Sequence, residues 1–281
     1  MSMKRFFVGR RGFSLGFTAV LFAPYKSADA AESANGGHSD QTPDFKGTLY
    51  PIGGAADFAL KRFAELAGGS SGRIMIIPHS SSSPKETADD LANTFMSLGV
   101  KDTDVIMPGE SKSLAKSSAV FMSGGDQNRM MRLLDKGVME QMRAFLRDGN
   151  LVGGTSAGAA AVAKRMIAGG MGDGLPKSKS LLIADGLDLL PGYMVDTHVG
   201  ARSRQDRLMV GLSMVPGVGG IGLDEDTAVE IKNGKATVHG VGVAHVYRRA
   251  NDFKSDMPST PEGKFASVQN MIYSIYPAGE S

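Results

Sequence analysis

The chain has 281 residues, 42% of them hydrophobic and 21% charged, an ordinary globular balance with enough apolar material for one good-sized core. It holds no cysteine, which excludes disulfides, thiolate metal sites and a cysteine nucleophile. The formal charge of +2 resides at the start: residues 1–30 carry five basic side chains and one acid, so the remainder is at about −2 and nothing favours a nucleic-acid partner.

Those first thirty residues read as an export signal. Lys4, Arg5, Arg10 and Arg11 precede an apolar run from Phe13 to Ala23, too short for an ordinary membrane span, and Ala28-Asp29-Ala30 offers the small-x-small pattern of a signal peptidase site. Arg10-Arg11-Gly12-Phe13 points to the twin-arginine route into a bacterial periplasm or beyond; the alternative is a Sec signal with two adjacent arginines. No membrane contact is expected once it is cleaved. Residues 31–46 are polar, with Gly36, Gly37 and Pro43, and are expected to be a disordered lead-in to a single domain over residues 47–281.

Gly47 to Ile52 is the first expected strand and Asp57 to Leu66 an amphipathic helix stopped by Gly68-Gly69. Arg73 to Pro78 is a buried-strand run and Glu86 to Leu98 a helix; Val105 to Pro108 and Ala119 to Ser123 are further short strands, and Met139 to Arg147 is a helix. Strands apolar throughout, alternating with helices, imply a doubly wound, mostly parallel α/β sheet sandwich whose site lies at the carboxyl ends of the strands. Gly169 to Lys179 reads as a glycine-rich connection, Gly186 to His198 as a strand region and Arg202 to Met214 as a helix. From Ala228 to Arg248 antiparallel strands are expected, with a turn at Lys232-Asn233-Gly234-Lys235; the tail from Ala250 carries little signal.

The stretch with chemistry in it runs from Asn150 to Val162. An apolar start meets Gly154-Thr155-Ser156-Ala157-Gly158, a G-x-S-x-G, and then an alanine-rich run that favours helix. A nucleophile elbow needs small neighbours so that strand and helix approach closely and a substrate carbonyl reaches the serine, which makes Ser156 the candidate nucleophile. The other reading is a glycine-rich loop that cradles a phosphate. Among five histidines His198 is the strongest base: it ends a strand-like segment and is followed by a dense charged set, whereas His239 and His245 read as structural and His79 closes a central strand. The base needs an orienting carboxylate, and Asp224-Glu225-Asp226 follow an apolar run at another strand end. No histidine pair sits at metal-ligand spacing, so neither metal nor organic cofactor is expected.

Four motifs occur in one order: Ser123-Gly124-Gly125-Asp126-Gln127; Gly154-Thr155-Ser156-Ala157-Gly158-Ala159; Asp196-Thr197-His198 with spaced arginines after it; and Gly220-Ile221-Gly222-Leu223-Asp224-Glu225-Asp226-Thr227-Ala228. Together, over residues from about 47 to 248, they resemble the S51 serine peptidases, and within them the cyanophycinases. The resemblance implies a class I glutamine-amidotransferase-like fold and a triad of Ser156, His198 and Glu225, with Ser, His, acid in an order unlike that of α/β-hydrolases. It also implies oxyanion donors at the amides of Ala157 and Gly125, substrate contact through Gln127, and a homodimer as the expected assembly.

Cyanophycin is a poly-aspartate with arginine on every β-carboxyl. A matching site has Arg202, Arg204 and Arg207 as carboxylate binders and Asp196 as partner for a substrate guanidinium; the alternative for the arginines is internal pairing with Asp206 or Glu225. Thr197 stands where the resemblance leads one to expect glutamine. Two other functions stay open here: a peptidase E-like aspartyl dipeptidase acting on short aspartyl peptides, and a silent member that binds acidic polymers.

Overall fold

The structure is a computed structural model that describes residues 18–19, 45–170, 181–256 and 267–279. The expected export signal and lead-in lie outside the described residues except for Thr18–Ala19 and Phe45–Lys46, as does the glycine-rich connection from Met171 onward. Phe45 is buried in the core, so packing begins two residues before the first expected strand.

The chain enters through β1 (Thr18–Ala19) and β2 (Thr48–Ile52). It continues through α1 (Asp57–Leu66), β3 (Arg73–Ile77), α2 (Pro84–Ser97), β4 (Asp102–Val105) and β5 (Ala119–Met122). Then come α3 (Gln127–Leu133), α4 (Lys136–Arg147), β6 (Leu151–Thr155) and α5 (Ala157–Ala160). The central sheet has the order β1 and, once the chain returns, β12 (Lys235–Gly240), β11 (Thr227–Lys232), β2, β6, β5, β3, β4. From β2 to β4 every neighbour is parallel, while β11, β12 and β1 add antiparallel strands beyond β2.

Alternation along these strands fills two cores. Leu49, Met75, Ile77, Val120 and Met122 face one side, where α3 and α4 contribute Met130, Met142 and Phe145. Tyr50, Ile52, Ile74, Ile76 and Phe121 face the other, under Phe63 of α1 and Phe95 of α2. There the rings of Phe63 and Phe121 meet at 4.9 Å and those of Phe95 and Phe121 at 5.2 Å, both edge to face, the arrangement an aromatic quadrupole favours.

A second sheet joins β9 (Tyr193–Thr197), β10 (Gly219–Leu223), β13 (Val243–Asp256) and β14 (Ser267–Pro277). β9 and β10 are parallel and the rest antiparallel. One face, through Val195, Ile221 and Val246, closes the first core; the other, through Met194 and Tyr247, packs on Leu208 and Leu212 of α6 (Gln205–Met214). The molecule is thus an α/β sandwich with a mostly parallel central sheet and antiparallel C-terminal strands.

Several elements differ from expectation for identifiable reasons. The strand expected at Val105 to Pro108 is β4, three residues earlier; it is an edge strand whose Asp102 and Asp104 pair with Arg73 of β3, so its polarity hid it. α3 was not expected: a seven-residue helix, started by Asp126 accepting from the Asn128 amide at 2.8 Å, is too short to show a period. The alanine-rich run yields only the four residues of α5 before the chain turns into β7 (Arg165–Gly169), which pairs with β8 (Leu182–Asp185). The tail from Ala250 is half of the long β13–β14 hairpin; its residues are exposed or at most half-buried, with Met271 and Tyr276 packed against the cores, so no clean apolar alternation marks it.

Candidate active site

Ser123 to Gln127 follows β5, Ser156 follows β6, His198 follows β9 and Glu225 follows β10, so carboxyl ends of strands from both sheets converge on one place. Ser156 has φ 52° and ψ −110°, a conformation held by the elbow's packing. Its amide donates to Ile52 O at 2.9 Å, and the glycines on either side are obligatory: a Cβ on Gly154 would lie 2.8 Å from the Gly158 backbone, and one on Gly158 2.6 Å from Met122 O.

Ser156 Oγ lies 2.8 Å from His198 Nε2, and His198 Nδ1 lies 2.9 Å from Glu225 Oε1. With Glu225 ionised the imidazole donates from Nδ1, which leaves Nε2 as the acceptor for the serine proton. His198 is itself at φ 56°, and its amide donates to Gly53 O at 2.9 Å. Burial pushes its pKa below the ordinary imidazole value; the Glu225 hydrogen bond opposes that shift and the Arg202 cation reinforces it. His79, the other candidate, is fully buried elsewhere, and among the described residues neither of its ring nitrogens has a hydrogen-bond partner.

The three consecutive acids have three separate tasks. Glu225 holds His198. Asp224 accepts from the Gly200 amide at 2.8 Å, and Asp226 accepts from the amides of Phe58 at 3.2 Å and Ala59 at 3.0 Å, capping α1 from far along the chain. Gly54 belongs to the site and sequence reasoning took it only for a strand end. At φ +128° it lies flat against the His198 ring, inside which any Cβ would fall, and its carbonyl accepts from the Asp226 amide at 2.8 Å. The Gly53-Gly54 pair was the signal available in the sequence.

Among the described residues the amides of Ala157 and Gly125 donate to no backbone carbonyl, and both border the cleft in front of Ser156. Gly125 has φ +135° and backs onto Ser80 O, while a Cβ on its neighbour Gly124 would touch Ser156 Cβ at 3.4 Å. The cleft, of about 280 Å³, is also lined by Gln127, Thr197, Arg202 and Arg204. Gln127 donates through Nε2 to Ile167 O at 2.7 Å and Asn128 donates to Ala168 O at 2.5 Å, so these carboxamides fasten β7 as the opposite wall.

Asp196, the expected partner of a substrate guanidinium, borders the cleft but already has cationic partners inside the protein. It is almost wholly buried; its Oδ2 lies 3.3 Å from Arg207 Nε and its Oδ1 3.9 Å from Arg204 Nη1, and Oδ1 also accepts from the Thr197 amide at 2.9 Å. Burial pushes its carboxyl up and the two arginines pull it back. Arg204 donates to Thr197 O at 2.9 Å, so the internal partner of these arginines is Asp196, neither Asp206 nor Glu225. Arg202 is exposed at the mouth of the cleft.

Ser156, His198 and Glu225 stand in line at a strand-to-helix elbow, an arrangement whose chemistry suits hydrolysis, and the comparisons place the chain among the peptidases. The Peptidase family S51 pattern matches residues 52–239, and the chain belongs to that family of peptidases. It is 38% identical over 218 residues to the cyanophycinase of Geminocystis herdmanii, covering 72% of this chain and 80% of that protein. To the cyanophycinase of Trichormus variabilis it is 34% identical over 253 residues, covering 84% and 85%. The crystal structure of a peptidase from an acI-B1 Actinobacterium shares the fold with TM-score 0.58 at 16% identity, over 85% of this chain and 97% of that one.

Proposed function

We propose that this peptidase is of the serine type and hydrolyses cyanophycin to β-Asp-Arg dipeptides through an acyl-enzyme. The observation that carries the reading is the continuous line from Ser156 Oγ through the imidazole to Glu225, at 2.8 and 2.9 Å. In this mechanism Ser156 Oγ bonds to the substrate amide carbon while His198 Nε2 takes the hydroxyl proton. The C–N bond then breaks, the amine leaves with that proton, and water repeats the sequence on the ester to release the acid and restore the serine. The amides of Ala157 and Gly125 serve as oxyanion donors, each lowering the barrier by about 3 kcal/mol. With Asp196 paired to Arg204 and Arg207, carboxylate recognition falls first to Arg202, which is exposed in the cleft. The cyanophycinase names of the relatives at 34% and 38% identity support this choice of polymer.

Residues 1–30 are proposed to direct export by the twin-arginine route, and sequencing of the exported form is expected to start at Ala31. The activity is tested by incubating residues 31–281 with purified cyanophycin beside the Ser156→Ala variant and following dipeptides by mass spectrometry. Release by the unmutated protein alone is expected. Failure of both to release dipeptide moves the substrate to short aspartyl peptides, and equal release by both removes Ser156 from the mechanism.

A further inference from the structure

Behind the triad lies a second histidine chain that the reaction does not use directly. His245 of β13 is buried; its Nε2 lies 3.1 Å from Asp224 Oδ1 and its Nδ1 2.6 Å from the Tyr273 hydroxyl of β14. The Tyr273 ring stacks on His245 at 5.9 Å and on Tyr247 at 4.8 Å, which fixes the hydroxyl against the imidazole. A carboxylate accepts and never donates, so His245 presents N–H at Nε2, and its Nδ1 accepts the hydrogen bond that the Tyr273 hydroxyl donates: the tautomer is the reverse of that in His198. Asp224 spends its remaining capacity on backbone, with Oδ1 accepting from the Gly200 amide at 2.8 Å and Oδ2 from the Val243 amide at 3.2 Å.

The consequence lies in what Gly200 is. It comes two residues after His198, in the turn closed by the Arg202 amide donating to His198 O at 3.0 Å. Glu225 therefore grips the imidazole while its neighbour Asp224 grips the loop that carries it, and the glycines around Asp224 leave it no slack. A Cβ on Gly200 would lie 2.9 Å from Oδ1, and one on Gly242 2.8 Å from the Asp224 Cβ. We infer that His245, held by Tyr273, is a positioning residue: by fixing Asp224 it sets the placement of the His198 loop, and through it the imidazole, against Ser156. Both His245 and Tyr273 lie beyond residues 52–239, the span matched by the family pattern. The inference rests on the serine-peptidase reading, and its test separates the two.

The rate at which a serine-directed phosphonate labels Ser156 reports activation of the nucleophile without calling on the arginine cleft. In the full mature chain, His245→Leu is expected to lower that rate by about tenfold to a hundredfold, the loss that misplacing a catalytic group by about 1 Å brings. His245→Gln, which keeps an N–H where Nε2 stood, is expected to recover most of it. Tyr273→Phe alters a half-exposed ring and keeps the fold; it is expected to slow labelling by about threefold, the weight of one neutral hydrogen bond. A wild type that is labelled while His245→Leu and Tyr273→Phe match it overturns this inference alone, as does a Gln variant no better than Leu. A wild type that escapes labelling overturns the serine reading and this inference with it.

Discussion

At the scale of single residues, environment decides what each titratable group does. His79 and His198 both close strands, and burial depresses the pKa of each, yet of these two it is His198 that meets a carboxylate on one side and a hydroxyl on the other. His198 must be neutral to accept the serine proton, so kcat/KM is expected to rise as pH climbs through its pKa. Because that pKa is lowered, the acid limb should lie below the ordinary imidazole value of about 6.5. Glu225→Gln removes a group that raises the pKa; the limb should shift further toward acid while kcat falls by roughly 10²–10⁴-fold, as expected when the orienting carboxylate is lost. A pH–rate profile of both forms checks the two effects together. His79 carries a stability prediction: desolvation lowers its pKa from 6.5 to about 4, so the unfolded chain binds the proton more readily. Stability is therefore complete above pH 6.5 and declines as pH falls toward 4, and the Tm of His79→Leu should decline less over that window.

At the scale of elements, the site depends on close approach of backbone to side chain. The end of β2 is the hub: Ile52 O receives the Ser156 amide, Gly53 O the His198 amide and Gly54 O the Asp226 amide. Gly54 adds the flat face on which the imidazole rests. Gly54→Ala is expected to drive the His198 ring off Ser156 and cost about 10²-fold or more in kcat, as misplacement of a catalytic group by about 1 Å does. The φ of +128° is also one that L side chains rarely adopt, so the Tm is expected to fall with kcat. Wild-type kcat in Gly54→Ala would show that the ring has room to yield.

At the scale of the whole molecule, the cleft lies where two sheets meet. The loops that carry Ser156 and Gly125 come from the central sheet, those that carry His198 and Glu225 from the second. Three arginines, with Asp196 and Asp126 as the only acids among the described residues that line the cleft, give it a cationic balance although the chain after residue 30 is close to neutral. A substrate bearing carboxylates is therefore drawn by a local field that salt screens. Raising ionic strength from about 0.05 to about 0.5 M is expected to raise KM several-fold while leaving kcat nearly unchanged. Steady-state kinetics at the two salt concentrations decide it; equal KM values would mean that the arginines serve only Asp196.

The sequence by itself determined the alternating strands and helices of the parallel half and the chemistry-bearing residues, because both are written in local signals. Apolar strands between helices specify a parallel sheet, and Gly154-Thr155-Ser156-Ala157-Gly158, His198 and the acids each stand at a strand end. Tertiary structure decided what depends on residues far apart in the chain. It assigned each of Asp224, Glu225 and Asp226 its own partner, and it set Asp196 beside Arg204 and Arg207. It turned the quiet tail into the β13–β14 hairpin that brings Tyr273 to His245. A hydrogen-bond partner is chosen by what packing leaves within about 3 Å, and no local pattern of residue types carries that information.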